Sequence, residues 1–418
     1  MKVMMVVHES PLEIIGGAQV YAKSLAESLV AEGHEAAVFS MGAGMPKSDF
    51  LMETESAGVK YFTVNRSRLT TGKKRFKFFD TYQNKEVADI FETASSKFKP
   101  DVAHIHHLVL LSGEIVHSLK EKGVPVVLML HDYWFLCHRI NLLLRDLSCC
   151  NGPGRGFKCS DCGDEKYLSY PSRALLPAIL LAFASRTRYL RKTVLAADVI
   201  LAPSEALRQI YAQNGIPQDR IRVSTYGIKG IPFIYHYQDK PSRVFAYFGT
   251  LQPHKGLDFL VEAFNGLSER EATLQIYGSG DPAYVTNLKS KADNKRISFH
   301  EAFPNEMLPT IMNQVDAMIL PSIWEENSPV SLHEARAANM PVLASRIGGI
   351  PELIEDDKTG ILFEPRSAEA ISEAVKKILD EPKLLQTYAE NSGMVKSFDN
   401  NVKELLEIYG GLYGRNQP

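Results

Sequence analysis

Glu326 and Glu334 stand eight residues apart in "EENSPVSLHEARAANMPVLASRIGGIPELI", on either side of a Ser-Pro turn. If both were helical they would lie ~12 Å apart along the axis. That exceeds the about 5–5.5 Å of a retaining glycosidase pair and the about 6.5–9.5 Å of an inverting one. The spacing suits a grip on two separated hydroxyl groups of one elongated ligand. Pro329 suits the first turn of a helix, so the helix starts between the carboxylates. Its N–H groups then point at an anion, and Asn327, Ser328 and Val330 lie where a phosphate would sit.

Three further stretches add to this. Lys255, in "GTLQPHKG", falls between a strand and a helix, where an ammonium could neutralise a diphosphate; a plain surface lysine is the alternative. Gly16 and Gly17 occupy the first strand-to-helix turn, where backbone can approach a phosphate. The Gly-x-Gly-x-x-Gly dinucleotide spacing is missing, and a simple tight turn is the other reading. Gly278 and Gly280, in "IYGSGD", end a strand and could form a backbone wall for a flat base.

The elements that position these residues alternate along the chain. Strand-like runs fall at Lys2–Val7, Glu35–Ser40, Val59–Val64, Asp101–His106, Pro125–Leu130, Val199–Pro203 and Ile221–Tyr226. A second series falls at Val244–Gly249, Thr273–Tyr277, Ile297–Phe299, Ala317–Pro321, Pro341–Ser345 and Gly360–Phe363. Helical segments separate most of them. Gly17 to Gly33 shows the rhythm of one apolar face at Ala18, Tyr21, Ala22, Leu25 and Leu29. Strands alternating with helices imply α/β domains with parallel, doubly wound sheets. Two series imply two Rossmann-like domains, with Lys229–Arg243 as the linker and a central cleft as the expected site. The expected domains are 1–232, 240–395 and a C-terminal segment, 396–418, that returns to the first. Charge divides at the same place. Residues 1–235 hold 29 Lys+Arg and 23 Asp+Glu, a net +6, and the rest hold 18 and 26, a net −8.

The net charge of −2 over 418 residues argues against a nucleic-acid binder. "KVMMVV" is too short for a secretory leader, and no apolar run reaches the ~18 residues of a membrane span. Five cysteines without a leader fit a reducing compartment. The expectation is a cytoplasmic protein.

Taken together, "GGAQVYAKSLAESLVAEGHE", "DVAHIHH", "VLMLHD", "STYGI", "GTLQPHKG", "IYGSG", the Glu-x7-Glu element and "GGIPELI" resemble the retaining nucleotide-sugar glycosyltransferases of family 4 (group 1). The resemblance spans nearly the whole chain and implies the GT-B architecture. It implies a nucleoside-diphosphate sugar donor, a glycan or lipid-linked acceptor, and a role in cell-surface polysaccharide or glycolipid synthesis. Glu326 matches the glutamate that contacts the transferred sugar, and Glu334 the one that holds the ribose. Lys255 matches the lysine on the diphosphate, and Gly17 the loop glycine near the phosphates. His131 matches a histidine beside the reacting sugar; a satisfied strand-end histidine is its other reading. His104, His106 and His107 could mimic a metal cluster, but the family needs no metal for catalysis, so packing or acceptor-side roles are the expectation for them.

Three departures qualify the resemblance. Thr250 stands where the family has arginine on its phosphate loop, which keeps open a catalytically weak sugar- or lipid-binding module. Asn339 stands where glycine ends the helix, and asparagine tolerates left-handed backbone. An insert, residues 137–165, carries all five cysteines. Cys159-x2-Cys162 has metal-ligand spacing, and Cys137 with either Cys149 or Cys150 would complete four thiolates for structural zinc or an iron–sulfur centre; reduced thiols are the alternative. Relatives with a similar pattern point to Cys150. Finally, "TTGKKRFKFF" and "RALLPAILLAFASRTRYLRK" are basic and apolar. They suit either solvated helices or peripheral contact with the inner face of a membrane.

Overall fold

The computed structural model describes residues 1–13, 16–42, 49–69, 78–159, 162, 176–231, 233–267, 272–292 and 295–414. Residues 70–77 of the first basic stretch, 173–175 of the second, and 160–161 and 163–165 of the insert lie outside them. The chain forms two compact units. The first comprises Met1–Arg145, Cys150–Ser224 and Asn401–Pro418, and the second Asp146–Cys149 and Thr225–Asn400.

The first unit holds strands β1 (Lys2–Glu9), β2 (Glu35–Gly42), β3 (Leu51–Ser56), β4 (Val59–Asn65), β5 (Val102–Ile105), β6 (Val126–Met129), β7 (Val199–Ala202) and β8 (Ile221–Val223). Among the described residues they build one sheet in the order β3-β4-β2-β1-β5-β6-β7-β8. The pairs are parallel except β3 with β4. Strands β5 and β6 are wholly buried, and β6 accordingly reads as an unbroken apolar run, while β5 carries His104. Strand β3 went unanticipated. "LMETES" is polar and largely exposed, and a sheet edge asks little of its side chains. Helix Gly17–Ala31 buries Tyr21, Ala22, Leu25 and Leu29, the face that the periodicity picks out.

The helix Phe398–Tyr413 supplies its latter part to this unit. Tyr409 Oη lies 2.6 Å from His104 Nδ1, and Tyr21 Oη donates to Asn401 Oδ1 at 2.6 Å. Both contacts are buried, and the first ties His104 of β5 to the C-terminal helix.

The second unit holds β9 (Arg243–Phe248), β10 (Ala272–Tyr277), β11 (Ile297–His300), β12 (Ala317–Leu320), β13 (Val342–Ser345) and β14 (Gly360–Phe363). All pairs are parallel, in the order β11-β10-β9-β12-β13-β14. The second unit begins at Thr225, earlier than the expected linker. The reason is local pairing: Ile228 N donates to Lys396 O and Phe398 N to Ile228 O, both at 3.0 Å, which ties the chain ahead of the expected linker to this unit.

Each sheet has a point where strand order reverses, between β1 and β5 in the first and between β9 and β12 in the second. Chains leaving the carboxyl ends of such neighbours diverge and open a crevice. That geometry singles out the segments after β1, β5, β9 and β12.

Candidate functional site

After β12 the chain runs through Pro321 to Pro329 before helix Val330–Ala337 begins. Glu326 is therefore not helical, while Glu334 is. Pro329 sits just before the helix as its cap residue, and no side chain caps the helix. The orphan N–H groups of Val330 and its neighbours are left for water or an anion. Asn339 has φ 54°, the left-handed conformation that the helix end requires.

Lys255 leaves β9 through a short 3-10 turn, and its Nζ donates to Glu326 Oε1 at 2.7 Å. Ser322 Oγ donates to the same oxygen at 2.5 Å. The Lys255 ammonium also stands 5.0 Å from the centre of the Trp324 ring, which His254 meets edge-on at 5.3 Å. Glu326 is only 3% exposed, so the ion pair operates in a partly desolvated environment where charge is felt strongly.

Glycine is required beneath this loop. Gly348 has φ +57°, and a Cβ there would stand 2.3 Å from Glu326 O and 2.5 Å from Glu326 N. Gly349 N donates to Glu326 O at 2.6 Å. The glycine pair thus fixes the backbone of the glutamate from below.

Burial raises the Glu334 carboxyl to about 7. Burial also raises Glu325, with the Gly348 N–H acting the other way. His254 is pushed to about 4 by burial and by Lys255, against the pull of Glu326. Ser328 Oγ lies 2.6 Å from His333 Nε2, and burial with Arg336 pushes that ring to about 4. Asn327 and Ser328 are buried, whereas Val330 and Thr250 are exposed. Tyr247 Oη donates to Thr250 O at 2.8 Å.

Gly278 and Gly280 have a backbone reason of their own. A Cβ at Gly278 would stand 1.8 Å from Gly249 O, and one at Gly280 1.9 Å from Leu251 O. Leu251 and Gly280 form a parallel bridge. These glycines let the loops after β9 and β10 lie against one another, which explains their type without a ligand.

In the first unit the carboxyl end of β1 carries His8 and Glu9, and helix Gly17–Ala31 starts from Gly16 with no side-chain cap. Gln19 Nε2 lies 3.1 Å from His8 Nε2 and donates to Glu9 Oε2 at 3.3 Å. His131 follows β6. Its Nε2 lies 3.0 Å from His106 Nδ1, and burial pushes it to about 3, Asp132 opposing and His107 reinforcing the shift. His107 Nε2 is 2.9 Å from Asp132 Oδ2. Burial alone would raise the Asp132 carboxyl, but His107 and the Trp134 amide hold it below the usual range.

The structure brings Lys255, Glu326 and the start of the Glu334 helix together at one sheet's reversal point; in the other sheet Gly16 and Gly17 follow β1, and His131, after β6, meets Tyr21 of the helix that Gly17 begins at 5.8 Å between ring centres. Sequence reading missed Ser322, Trp324, His254 and His333 in the second unit and His8, Gln19 and Asp132 in the first. Trp324 had a usable signal, two residues before Glu326 and four after an apolar strand. His8 and Gln19 had none, because only the β1 turn brings them together.

Comparison with known proteins adds family evidence. The model for "Glycosyltransferase Family 4" matches residues 15–229, half of the chain, and that for "Glycosyl transferases group 1" matches residues 236–393. An uncharacterized glycosyltransferase of Methanocaldococcus jannaschii is 24% identical over 98% of both chains. D-inositol 3-phosphate glycosyltransferase of Corynebacterium glutamicum is 30% identical over 34% of this chain and 36% of its own. Among solved structures, sucrose-phosphate synthase from Thermosynechococcus elongatus superposes with a TM-score of 0.76 at 17% identity, covering 99% of this chain and 100% of the other. Anabaena HepE in complex with UDP and glucose gives 0.67 at 17% identity, covering 98% and 99%. These likenesses are to proteins of the GT-B fold.

Proposed function

The chain belongs to glycosyltransferase family 4, the group 1 glycosyl transferases, and from that premise we propose that it moves a sugar from a nucleoside-diphosphate sugar to an acceptor hydroxyl with retention of configuration. The observation that carries the reading is the Lys255–Glu326 contact at 2.7 Å, one loop before the half-buried Glu334. Lys255 would take the diphosphate, Glu326 a hydroxyl of the transferred sugar, and Glu334 the ribose.

The C1–O bond to the diphosphate breaks as the acceptor oxygen bonds to the same face of C1. The acceptor proton passes to the departing phosphate oxygen. The sugar is oxocarbenium-like between the two, and the negative charge growing on the diphosphate is what Lys255 and the N–H groups of the helix start at Val330 stabilise. His131 is neutral at working pH, so its part is to hold a sugar hydroxyl rather than to protonate the leaving group. Gly16 and Gly17, at an uncapped helix start, would lie near the phosphates. In this reading Lys255 supplies the positive charge, and no catalytic metal is assigned.

HepE, which has the same fold, is described in complex with UDP and with UDP-glucose, which supports UDP as the first donor nucleotide to try. A thermal-shift panel of UDP, GDP, ADP, CMP and NAD tests the reading. Ligand at ~100 times its Kd adds ~2.7 kcal/mol to a folded protein. The expected outcome is a rise in Tm with one nucleoside diphosphate. No rise with any of the five would overturn the donor site and leave a catalytically weak sugar- or lipid-binding module, the reading that Thr250 keeps open.

The acceptor belongs in this reading to a cell-surface polysaccharide or glycolipid. No helix among the described residues is long and apolar enough to cross a membrane. Helix Leu176–Ala196 exposes Leu176 and Leu181 along with Arg188, Arg191 and Lys192, which supports peripheral contact with anionic lipid on the cytoplasmic side. Co-sedimentation with phosphatidylserine vesicles should fall when Leu181 is changed to Ser and at high salt. Equal recovery with neutral vesicles would argue against it.

A further inference from the structure

Three neighbouring strands of the first sheet bring Met5, His106 and His131 together. Met5 lies in β1, His106 directly follows β5, and His131 is the second residue after β6. Those strands are adjacent in the order β1-β5-β6. His106 N donates to Val6 O at 2.8 Å, so β1 fixes the backbone that carries this ring.

The side chains form a line. His106 Nε2 lies 3.4 Å from Met5 Sδ, and His106 Nδ1 lies 3.0 Å from His131 Nε2. His106 is fully buried, whereas His131 is half-buried at the open end of the line. Rings on either side hold His106 in place. His104 packs against it with 4.2 Å between ring centres, and is itself tied to Tyr409 of the C-terminal helix. Tyr21 meets His106 and His131 edge-on at 5.7 and 5.8 Å, while its hydroxyl donates to Asn401 Oδ1.

Both members of the histidine pair are neutral near neutral pH. Burial, reinforced by His104 and His131, holds His106 well below the usual histidine range, and burial holds His131 at about 3. A neutral imidazole has one N–H donor and one bare acceptor nitrogen. A thioether has no proton to give and is a weak acceptor. If Nδ1 of His106 carried the proton, a bare Nε2 would face the sulfur lone pairs in a dry interior with no hydrogen between them. The proton therefore belongs on Nε2, which donates to Met5 Sδ. Nδ1 of His106 is then an acceptor, and the hydrogen in its bond to His131 comes from His131 Nε2. A neutral His131 protonated at Nε2 is unprotonated at Nδ1.

We propose that His106 is a positioning residue that locks His131 into the Nε2–H tautomer, so that His131 meets a sugar hydroxyl as a hydrogen-bond acceptor at Nδ1. The sugar in this inference rests on the transferase reading; the tautomer does not. The lock also narrows what can face His131. The facing group has to bring a proton, as a hydroxyl does and as a carboxylate or an ether oxygen does not.

Two-bond proton–nitrogen correlation spectra of the ligand-free, full-length protein labelled with ¹⁵N-histidine read the tautomer directly. The His131 signals are those that vanish in His131→Gln. The expected result is a protonated Nε2 and an unprotonated Nδ1 on His131. A protonated Nδ1, or a mixture of the two forms, overturns the proposal. His106→Leu removes the acceptor and should release His131 into such a mixture. His106→Asn, whose Oδ1 can stand in for Nδ1, should restore the single form. Turnover completes the test, with UDP-glucose and its GDP- and ADP-linked counterparts as probes. On whichever is consumed, His106→Leu should lower kcat about 3- to 10-fold, the worth of one hydrogen bond, with nucleotide affinity unchanged. His106→Asn should recover most of that loss. An unchanged rate in His106→Leu, or equal losses in the two variants, overturns the positioning role. If the variants fail to fold, the wild-type spectrum still decides the tautomer. If none of the three sugars is consumed, the transferase reading suffers and the spectrum again decides the tautomer.

Discussion

Lys255→Ala should lower kcat/KM for the nucleotide sugar by about 100- to 1000-fold, the ~3–4 kcal/mol commonly lost with one preorganised charge-stabilising group. The ammonium stands 2.7 Å from Glu326 and over the Trp324 ring, so its position is set before any donor arrives. Glu326→Ala should cost a similar factor by removing a sugar hydroxyl's partner. Because the two side chains touch, their losses should not add, and the double variant should fall close to the worse single one. Lys255→Arg should recover only part of the rate, since a planar fork does not replace a compact ammonium held between a carboxylate and an indole. Melting temperatures measured alongside separate lost chemistry from lost folding, because Lys255→Ala leaves the buried Glu326 with Ser322 but without its cation. Near-wild-type turnover in both single variants would remove these residues from the reaction.

Glu334→Gln should stabilise the ligand-free protein and weaken its hold on nucleotide. Burial raises the Glu334 carboxyl from 4.5 to about 7. A folded-state value above the unfolded one means that the folded protein holds this proton more tightly. The stabilising contribution is therefore complete below about pH 4.5 and is lost as pH rises through about 7. At pH 8 the ionised side chain costs the empty protein on the order of 3 kcal/mol. The glutamine variant should accordingly melt several degrees higher at pH 8 and almost unchanged at pH 4.5. Nucleotide affinity should move the opposite way. A ribose diol donates to a carboxylate, and losing those charge-assisted bonds at ~1.5–3 kcal/mol costs about 10- to 150-fold. For the wild type, affinity should decline as pH falls below about 7 and the carboxylate is protonated. Wild-type nucleotide affinity in Glu334→Gln would remove Glu334 from the donor site, and an unchanged Tm at pH 8 would mean that its burial is compensated by neighbours.

The two α/β series were plain in the sequence because parallel strands buried on both faces are continuous apolar runs, as Val126–Met129 and Ala317–Leu320, both wholly buried, show. Strand Leu51–Ser56 escaped for the opposite reason. It lies at an edge, exposed, and its pairing with Val59–Asn65 uses backbone rather than side-chain pattern. Gly278 and Gly280 looked like a ligand wall, yet the neighbouring Gly249 and Leu251 backbone already demands their smallness. A missing side chain records close approach without naming what approaches.

What the sequence determined by itself was the alternation of elements, the helix start after Pro329, the left-handed end at Asn339 and the identity of the chemically able residues. These follow from local propensity, cap chemistry and spacing. Only the tertiary structure decided which of those residues meet. Strand order places the segments after Phe248 and Leu320 side by side, so Lys255 reaches Glu326 across 71 residues. Contacts between distant segments depend on sheet order and on which side chains lose water together, and neither is written in any short stretch of chain.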